Sequence, residues 1–375
     1  MSNQSTSSGL SPVIITGGCG FVGSHLAEGL LAENPNCEIH VIDLNTARNP
    51  VPGVHYHTCD ITSSADVESV FLETKPQTVF HVASPDPLVL NPARFRSVNV
   101  DGTKNLLHAA KKTKSVKAFV YTSTSSAIHD NVSELVDADE SLPVLRYPAQ
   151  KRVYTLTKVE AEDETLAANR QDGDSSMLTV SIRPATAFGT RDTCFMSKVV
   201  AQARAGKANA QIGPGKNYYD VTYISNLVDA HLLAAHALID AYGKAAPPLE
   251  RQVDGQSFII TNDEPVLFWE FHRAVAASVG MPVRQEDIKV VPYWVAMLVA
   301  TVSEWSTWIF SFGKKQASIT REAVHLSTIT RTLKCDKAKR ILGYKPKVGV
   351  YEGLEECSKW FVEEAKKTEQ AKKTV

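Results

Sequence analysis

A glycine-rich turn that joins an apolar run to a helical stretch is the feature that most constrains this fold. Residues 13–16 read VIIT, which is typical of a buried strand, and the residues that follow read GGCGFVG. Glycines in such a strand–turn–helix unit permit a tight turn and let backbone N–H groups approach a pyrophosphate, while the helix N-terminus adds partial positive charge. The sequence therefore predicts a phosphate-binding turn. Its predicted contact residues are Gly17, Gly20, Phe21, Val22 and Gly23.

The first half of the chain alternates β-rich runs with helical stretches, the pattern that builds a parallel sheet covered on both faces. Strands are predicted near residues 13–16, 38–42, 54–59, 78–83, 118–122 and 178–182. Helices are predicted over 22–33, 65–73 and 100–112, where apolar residues recur at helical spacing. The predicted fold class is α/β, a doubly wound parallel sheet of the Rossmann type with a smaller C-terminal substrate lobe.

Glycine and proline punctuation increases after about Pro184, which indicates a change of domain. The predicted divisions are a disordered leader at 1–11, a nucleotide-binding domain at 12–185 to which later segments return, a substrate lobe at 186–362 and a charged tail at 363–375. The leader has neither the basic nor the apolar region of a signal peptide.

An acidic residue follows the second predicted strand at the spacing that dinucleotide-binding folds use for the adenosine ribose. Asp43 would accept hydrogen bonds from the ribose hydroxyls and repel a 2′-phosphate, which favours NAD over NADP. Arg48 lies close enough in sequence to weaken that preference.

The ends of the third and fourth strands complete the predicted cofactor site, because ligands of open α/β sheets bind at the carboxyl ends of the strands. Asp60 and Ile61 are placed near the adenine, and Ala83 and Ser84 near the cleft. His81 has apolar neighbours, so we expect a hydrogen-bonded structural histidine rather than a proton-transfer group.

A tyrosine and a lysine four residues apart form the predicted catalytic pair. On a helix, Tyr154 and Lys158 would lie on one face. Both are also expected to border the cofactor, and Lys158 could hold the hydroxyls of the nicotinamide ribose. A phenol is a poor base at neutral pH, but a nearby ammonium stabilises the phenolate and makes tyrosine a usable proton acceptor. The spacing alone occurs by chance on helix surfaces, so the prediction depends on the glycine turn upstream.

Hydroxyl side chains cluster at the end of the predicted fifth strand, in the run YTSTSS over residues 121–126. A hydroxyl at this edge of the sheet can polarise a substrate carbonyl. Ser123 and Ser125 are candidates from the residues alone, and an ordinary Ser/Thr-rich loop is the alternative.

Composition excludes several classes of function. Lys and Arg total 40 against 41 Asp and Glu, so no overall field favours nucleic acid. The six cysteines include no C-x-x-C pair, which indicates reduced thiols and neither a zinc site nor a disulfide framework.

An apolar, tryptophan-rich segment over residues 290–312 stands out in the predicted substrate lobe. It is too short to cross a bilayer uninterrupted, since about 20 apolar residues are needed and Glu304 lies within it. We expect an interfacial helix or hairpin with aromatic side chains at headgroup depth, followed by Lys314 and Lys315. A buried helix that covers the substrate site is the alternative.

Several motifs together resemble one family. TGGCGFVGSHL, VNVDGTKNLL, VYTST and YTLTK occur in the order found in extended short-chain dehydrogenases, and residues 12–362 are similar to the 3β-hydroxysteroid dehydrogenase branch, above all its fungal sterol-4α-carboxylate 3-dehydrogenases (decarboxylating). The resemblance implies NAD as cofactor, Tyr154 as acid/base and Lys158 as its partner. It also implies Thr124 as the third hydroxyl, where the family more often has serine, and Ser125 remains a possible substitute.

The same resemblance predicts the reaction and the partners. Oxidation of the 3-hydroxyl of a 4α-carboxysterol would give a 3-ketone that loses carbon dioxide. The expected location is the cytosolic face of the endoplasmic reticulum membrane, with peripheral membrane contact, and Lys372-Lys373-Thr374-Val375 resembles a dilysine retrieval signal. A homodimer and a complex with other enzymes of sterol C4 demethylation are further partners that it suggests.

Four other functions stay open at this point. A related enzyme could be a specialised terpenoid-pathway dehydrogenase, a 3β-hydroxysteroid dehydrogenase/isomerase or a nucleotide-sugar epimerase, although the tryptophan-rich segment suits a membrane lipid better than a soluble sugar nucleotide. A non-enzymatic NAD-sensing protein on the same fold would be expected to lack the catalytic pair.

Overall fold

The computed structural model describes residues 9–86, 91–312, 315 and 317–373. Its strands are β1 Val13–Thr16, β2 Ile39–Asp43, β3 His55–Thr58, β4 Thr78–His81, β5 Ala118–Thr122, β6 Leu135–Ala138, β7 Leu178–Pro184, β8 Thr186–Phe188, β9 Ala210–Ile212, β10 Tyr218–Tyr219, β11 Val221–Tyr223, β12 Ser257–Ile260, β13 Val266–Leu267, β14 Lys289–Val291 and β15 Arg331–Leu333. All six strands predicted from the sequence are present, with ends that differ by a few residues.

The α-helices alternate with these strands. They are α1 Phe21–Glu33, α2 Ser64–Thr74, α3 Pro92–Phe95, α4 Gly102–Thr113, α5 Val153–Ala167, α6 Met196–Arg204, α7 Ile224–Ala241, α8 Phe268–Ser278, α9 Tyr293–Ser311, α10 Arg321–Leu326, α11 Asp336–Leu342 and α12 Val350–Lys373. The helix predicted over 100–112 differs at its start, because a π-helical turn, Arg96–Asp101, precedes α4.

A seven-stranded parallel sheet forms the centre of the molecule, in the order β12-β7-β5-β4-β1-β2-β3. All four residues of β1 are buried, as expected for a strand covered on both faces. Val13 and Ile15 belong to the core on one face of the sheet, and Ile14 belongs to the core on the other. The α/β doubly wound class predicted from the sequence is confirmed.

A second, mixed sheet lies beside the first and has the order β13-β10-β15-β6. Its strand β6, Leu135–Ala138, comes from the first half of the chain and pairs in parallel with β15. Conversely, β12, Ser257–Ile260, comes from the second half and pairs with β7 in the main sheet. The chain therefore passes between the two sheets more than once, and both border the same region at the carboxyl ends of β4 and β5.

The helix α12 continues from Val350 through the charged segment as far as Lys373. Its apolar residues Leu354, Cys357 and Phe361 are buried in the main core. Thr374 and Val375, the end of the predicted retrieval signal, lie outside the described residues, as do residues 1–8 of the predicted leader and Lys314.

Candidate active site

The glycine turn between β1 and α1 has the backbone geometry that its sequence predicts. Gly17 has a φ of +66°, in the left-handed region that favours glycine, and a Cβ there would lie 2.8 Å from the Cα of Ala83. A Cβ on Gly23 would lie 2.5 Å from the Cα of Gly18. Gly23 therefore allows α1 to pack closely on the turn, while Gly17 and Gly20 lie at the surface of the adjoining cavity.

That cavity, of about 480 Å³, brings together most of the predicted cofactor residues and is called the cofactor cavity below. Its lining includes Gly17, Gly20, Phe21, Val22, Asp43, Asp60, Ile61, Ala83, Ser84 and Tyr154. These residues come from the ends of four adjacent strands and the start of two helices. Two predicted cofactor residues lie outside this lining. Gly23 has a position consistent with a packing role, and Lys158 lines the neighbouring cavity described below.

Asp43 is held at the floor of the cofactor cavity by backbone amides. Its Oδ2 accepts from the N–H of Cys19 (3.1 Å), and its Oδ1 accepts from the N–H of Asn45 (3.2 Å). Arg48 lines the same cavity and donates to Thr193 Oγ1 (3.4 Å). A guanidinium and a carboxylate thus both border the expected place of the adenosine ribose.

His81 and Asp60 have local structural partners. The ring of His81 is buried, with Nδ1 2.8 Å from Thr16 Oγ1 and Nε2 2.8 Å from Thr103 Oγ1. Burial holds the pKa of His81 well below its usual range, and Lys158 adds to this effect. Asp60 Oδ1 accepts from both the N–H and the hydroxyl of Thr62. The geometry agrees with His81 as a neutral structural residue.

The predicted catalytic pair lies on one face of α5. Tyr154 is at the start of the helix, half-buried, and its ring meets Phe95 edge-to-face. Lys158 is buried, donates from Nζ to the carbonyl oxygen of Thr122 and lies 4.3 Å from the centroid of the Tyr121 ring. Among the described contacts no hydrogen bond joins the two side chains.

Burial shifts the two groups in opposite directions. It raises the pKa of Tyr154 to about 12, and the nearby Arg152 partly opposes this. It lowers the pKa of Lys158 to about 7, against the opposing charge of Glu162. With a pKa of about 7, Lys158 is only partly protonated near neutral pH, so the charges of neighbouring groups decide how much of it is charged.

The three candidate hydroxyls at the end of β5 have different environments. Ser123 is buried and donates to Glu162 Oε2 (2.9 Å), so its hydroxyl is already engaged. Thr124 Oγ1 accepts from the N–H of Ser126 (3.2 Å), which leaves its own proton free to donate. Thr124 and Ser125 both line a cavity with Tyr154 and Lys158. The structure thus leaves Thr124 and Ser125 as candidates and gives Ser123 a different contact.

This second cavity, of about 460 Å³, is called the substrate cavity and shares Phe21, Val22, Val82, Ser84, Tyr154 and Cys194 with the cofactor cavity. Its far wall belongs to the second sheet and includes Tyr219, Asp220 and Arg331. Tyr219 and Arg331 are register partners on β10 and β15. A ligand in one cavity would therefore be next to a ligand in the other, with Tyr154 between them.

Buried polar atoms without partners occur together on that far wall. Tyr219 Oη, Asp220 Oδ1 and Arg331 Nε have no hydrogen-bond partner among the described residues. Burial lowers the pKa of Arg331 and raises that of Asp220 to about 6. Because buried polar groups in proteins are normally satisfied, this wall is suited to a polar group of a ligand.

Arg152 adds a second guanidinium to the substrate cavity, two residues before Tyr154. Its Nε lies 3.6 Å from Glu322 Oε1, at the rim. Sequence reasoning did not identify Arg152, Tyr219, Asp220 or Arg331. Arg152 is close to Tyr154 in the sequence, whereas only the pairing of distant strands places Tyr219, Asp220 and Arg331 near it.

The predicted apolar segment forms the short strand β14 and the long helix α9. Ala296 and Ala300 pack against Val324 of α10, whereas most large side chains of α9 face outward. The exposed set, here called the α9 face, is Val290, Tyr293, Trp294, Leu298, Val299, Val302, Trp305, Trp308, Ile309, Phe310 and Phe312.

The acidic residue within this segment is turned away from that face. Glu304 accepts from both Nε and the backbone N–H of Arg321, each at 2.7 Å. The α9 face therefore carries no charge of its own. The helix is exposed and does not line the substrate cavity, so the alternative of a buried helix over the site is wrong. None of the described helices has the length and apolar character that crossing a bilayer requires.

A sequence model of the 3-beta hydroxysteroid dehydrogenase/isomerase family matches residues 14–290. The chain belongs to this family. The match includes the glycine turn, the hydroxyl cluster and the Tyr154–Lys158 pair, and it confirms the resemblance on which the predicted chemistry was based.

Relatives from fungi, animals and plants are named as dehydrogenases that also decarboxylate. The chain is 34% identical over 359 residues to sterol-4-alpha-carboxylate 3-dehydrogenase, decarboxylating, of Saccharomyces cerevisiae, covering 94% of this chain and 98% of that protein. It is 32% identical over 342 residues to the human protein of that name, covering 91% and 86%. It is 36% identical over 360 residues to 3beta-hydroxysteroid-dehydrogenase/decarboxylase isoform 1 of Arabidopsis thaliana, covering 91% and 77%.

Solved structures agree in fold. UDP-glucose 4-epimerase of Thermotoga maritima with UDP-glucose has a TM-score of 0.69 at 22% identity, covering 94% of this chain and 99% of that one. UDP-glucose 4-epimerase of Thermus thermophilus in complex with NAD has a TM-score of 0.67 at 24% identity, covering 93% and 98%. At these identities the likeness shows the fold alone.

Proposed function

We propose that this 3-beta hydroxysteroid dehydrogenase family member oxidises the 3-hydroxyl of a 4α-carboxysterol with NAD and releases the 4-carboxylate as carbon dioxide. The observation that carries this proposal is the guanidinium of Arg331. Its Nε is buried and has no hydrogen-bond partner among the residues that the structure describes, and Arg331 lines the same cavity as Tyr154 and Lys158. A plain 3β-hydroxysterol offers no anion for this group, whereas a carboxylate at C4 is adjacent to the reacting C3. The names of the relatives support the same substrate class.

The cofactor cavity fits NAD. Its glycine turn leaves space at Gly17 and Gly20 for a pyrophosphate at the start of α1. Asp43 would accept from the adenosine ribose hydroxyls, Asp60 and Ile61 would border the adenine, and Ala83 and Ser84 would border the nicotinamide half. NAD bound in this cavity would accept the hydride that leaves C3.

Side chains of the protein then transfer the proton and stabilise the negative charge that develops during the reaction. Tyr154 takes the proton of the 3-hydroxyl as the C3 hydrogen leaves with its electron pair, and protonated Lys158 stabilises the phenolate. The product is a 3-ketone β to the carboxylate. When the bond from C4 to the carboxyl carbon breaks, its electrons form an enolate, and Thr124 donates a hydrogen bond to the oxygen on C3. A proton from water then completes C4.

Arg331 and Arg152 are suited to hold the carboxylate before it leaves. Guanidinium groups form strong, directional hydrogen bonds with carboxylates. Tyr219 lies beside Arg331 in the paired strands and offers a hydroxyl donor. These two guanidinium groups in the lining of the substrate cavity would favour a carboxylated substrate over an uncharged sterol of the same shape.

A substrate panel tests the function. Purified protein with NAD should form NADH and carbon dioxide with a 4α-carboxysterol, and should be much less active with the matching 3β-hydroxysterol or a UDP-sugar. Equal rates with both sterols would favour a 3β-hydroxysteroid dehydrogenase without decarboxylation. NADH formation or epimerisation with UDP-sugars alone would contradict the proposal.

The α9 face supports peripheral contact with a membrane. It combines three tryptophans with aliphatic side chains, and Trp305 and Trp308 are each 61% exposed. Such amphipathic aromatic groups favour the headgroup region of a bilayer, where a sterol substrate is also dissolved. We propose the cytosolic face of the endoplasmic reticulum membrane as the location.

Vesicle sedimentation tests the membrane contact. The double variant Trp305→Gln/Trp308→Gln should bind phosphatidylcholine–phosphatidylserine vesicles several-fold more weakly, because it loses much of the apolar area of the α9 face. Leu72→Gln/Leu249→Gln, which changes exposed apolar residues elsewhere, is the matched control. Unchanged sedimentation of a folded double variant would contradict the contact. A shift from dimer to monomer without vesicles would assign the face to a second copy instead.

We also propose that the chain is divided into a nucleotide-binding domain and a substrate lobe. The separate sheets on either side of Tyr154 support it, with β6 and β12 as the exchanged strands. Homodimerisation and a complex with other C4-demethylation enzymes stay predictions from the family resemblance.

A further inference from the structure

A buried carboxylate lies directly behind the catalytic pair. Glu162 is one helical turn after Lys158 on α5, so Tyr154, Lys158 and Glu162 share one face of the helix. Its Oε1 and Oε2 accept from Arg183 Nε at 2.9 and 3.2 Å, and Oε2 also accepts from Ser123 Oγ at 2.9 Å. The side chains of Glu162 and Arg183 are 2% and 5% exposed, so this pair is shielded from solvent.

The contact with Ser123 ties Glu162 to the strand end that carries the active site. Ser123 lies between Thr122, whose carbonyl oxygen accepts from Lys158 Nζ, and Thr124, the candidate hydroxyl. A displacement of Ser123 would therefore move the acceptor of Lys158 and the hydroxyl of Thr124 together. One carboxylate thus connects the helix that bears the pair to the strand that faces it.

Stability alone is a weak reason for this arrangement. Removing two charges from water costs several kcal/mol per ion, and well-packed apolar residues are often as stable as a buried ion pair. The position of Glu162 gives it a second effect. Lys158 is buried and must carry a positive charge to stabilise a phenolate, and a carboxylate one turn away favours that charge.

The other groups around Lys158 do not replace Glu162. His81, from β4, is buried and neutral, and Tyr121, from β5, has a pKa raised by burial. Tyr154 is the other titratable group on the same helix face. The remaining charges of α5 form pairs in solvent with neighbouring elements: Arg96–Glu160, Arg146–Asp163 and Lys104–Glu164.

We propose that Glu162, held by Arg183 and Ser123, is a positioning residue that keeps Lys158 protonated and fixes the Thr122–Thr124 segment during the reaction. The role rests on the proposed function in that Lys158 must be charged when Tyr154 takes a proton. It assigns Glu162 no contact with substrate or cofactor.

The first test compares Glu162→Gln with Glu164→Gln. Glu164 lies on the same helix, pairs with Lys104 in solvent and provides the matched control. Loss of the buried charge should lower the pKa of Lys158, which is about 7 in the native protein, by roughly one unit. The alkaline limb of the kcat profile should therefore move to lower pH in Glu162→Gln and stay in place in Glu164→Gln, with little change in the KM for NAD.

A second measurement is independent of turnover. In protein labelled with ¹³C-lysine, the Cε signal of Lys158, assigned with Lys158→Met, should titrate at lower pH in Glu162→Gln than in the native protein. If the native protein does not act on a 4-carboxysterol, the proposed function fails while this titration remains readable. Equal midpoints in Glu162→Gln and Glu164→Gln overturn the role of Glu162.

A double variant controls for loss of folding, because Glu162→Gln alone would leave Arg183 buried without its carboxylate partner. Glu162→Gln/Arg183→Met removes both charges and avoids leaving a buried cation alone. Its Lys158 midpoint should be lowered less than in Glu162→Gln, because the double variant also loses the repulsion between Arg183 and Lys158. A midpoint above the native value in this folded double variant would also overturn the proposal, because Arg183 would then outweigh the carboxylate at Lys158.

Discussion

The two cavities that meet at Tyr154 are built in different ways. The cofactor cavity is formed by the ends of β1, β2, β3 and β4, which follow one another along the chain, and its polar groups have partners, as Asp43 does with Cys19 and Asn45. The far wall of the substrate cavity joins β10 to β15 across a long stretch of sequence. Three of its buried polar atoms, in Tyr219, Asp220 and Arg331, have no hydrogen-bond partner among the described residues. Asp43 in the cofactor cavity therefore has hydrogen-bond partners within the protein, whereas the far wall of the substrate cavity has polar atoms available to a ligand.

This difference predicts where each kind of specificity resides. Changes in the cofactor cavity should alter which dinucleotide binds and leave the sterol preference intact. Changes in the far wall should alter the sterol preference and leave the dinucleotide intact. Tyr154 borders both cavities, so its loss should stop turnover without changing either preference.

Tyr154→Phe should have the largest effect. It removes the proton acceptor, so kcat should fall by about 10³-fold or more, while the Kd for NADH stays close to native. Steady-state NADH formation and fluorescence titration with NADH measure the two quantities. Tyr147→Phe, at an exposed tyrosine close in sequence, is the control and should be fully active. Retained turnover in Tyr154→Phe would remove this residue from the mechanism.

Arg331→Met should have the next largest effect and should separate the two sterols. A hydrogen bond to a charged group contributes about 1.5–3 kcal/mol, so kcat/KM for the 4-carboxysterol should fall by about 10- to 100-fold. The rate with a plain 3β-hydroxysterol should not fall. Arg340→Met, an exposed arginine on α11, is the control. Equal losses for both sterols would mean that Arg331 supports the structure rather than the carboxylate.

Asp43→Asn should have the smallest effect and should be confined to the dinucleotide. Without the carboxylate, and with Arg48 in the same cavity, the ratio of kcat/KM for NAD to that for NADP should fall by about tenfold. Asp60→Asn makes the same change in the same cavity at a carboxylate bonded to Thr62, and should leave the ratio nearly unchanged. An unchanged ratio in Asp43→Asn would place the 2′-hydroxyl elsewhere.

The predictions from the sequence agree with the structure where the interactions join residues that are close together in the chain. The strand before Gly17 and the turn after it are set by neighbouring residues, because glycine conformations and apolar runs act locally. The Tyr154–Lys158 spacing is likewise a property of one helix. In contrast, Ser123 was a reasonable hydroxyl candidate until the structure showed its bond to Glu162.

The apolar segment shows the same limit. Its sequence predicted an interfacial helix but left Glu304 unexplained in the middle of it. The structure pairs Glu304 with Arg321 of α10, so the α9 face is uncharged. That pairing depends on how α10 packs against α9, which no local pattern records.

The sequence by itself determined the doubly wound fold, the glycine turn, the acid after β2 and the helix that carries Tyr154 and Lys158, since each depends on residues near one another in the chain. Only the tertiary structure decided that Arg331 and Tyr219 face Tyr154, that Glu162 lies behind Lys158 against Arg183, and that the α9 face is open. These features arise from strand pairing and helix packing between distant segments, where burial and unsatisfied hydrogen bonds, rather than sequence motifs, reveal the chemistry.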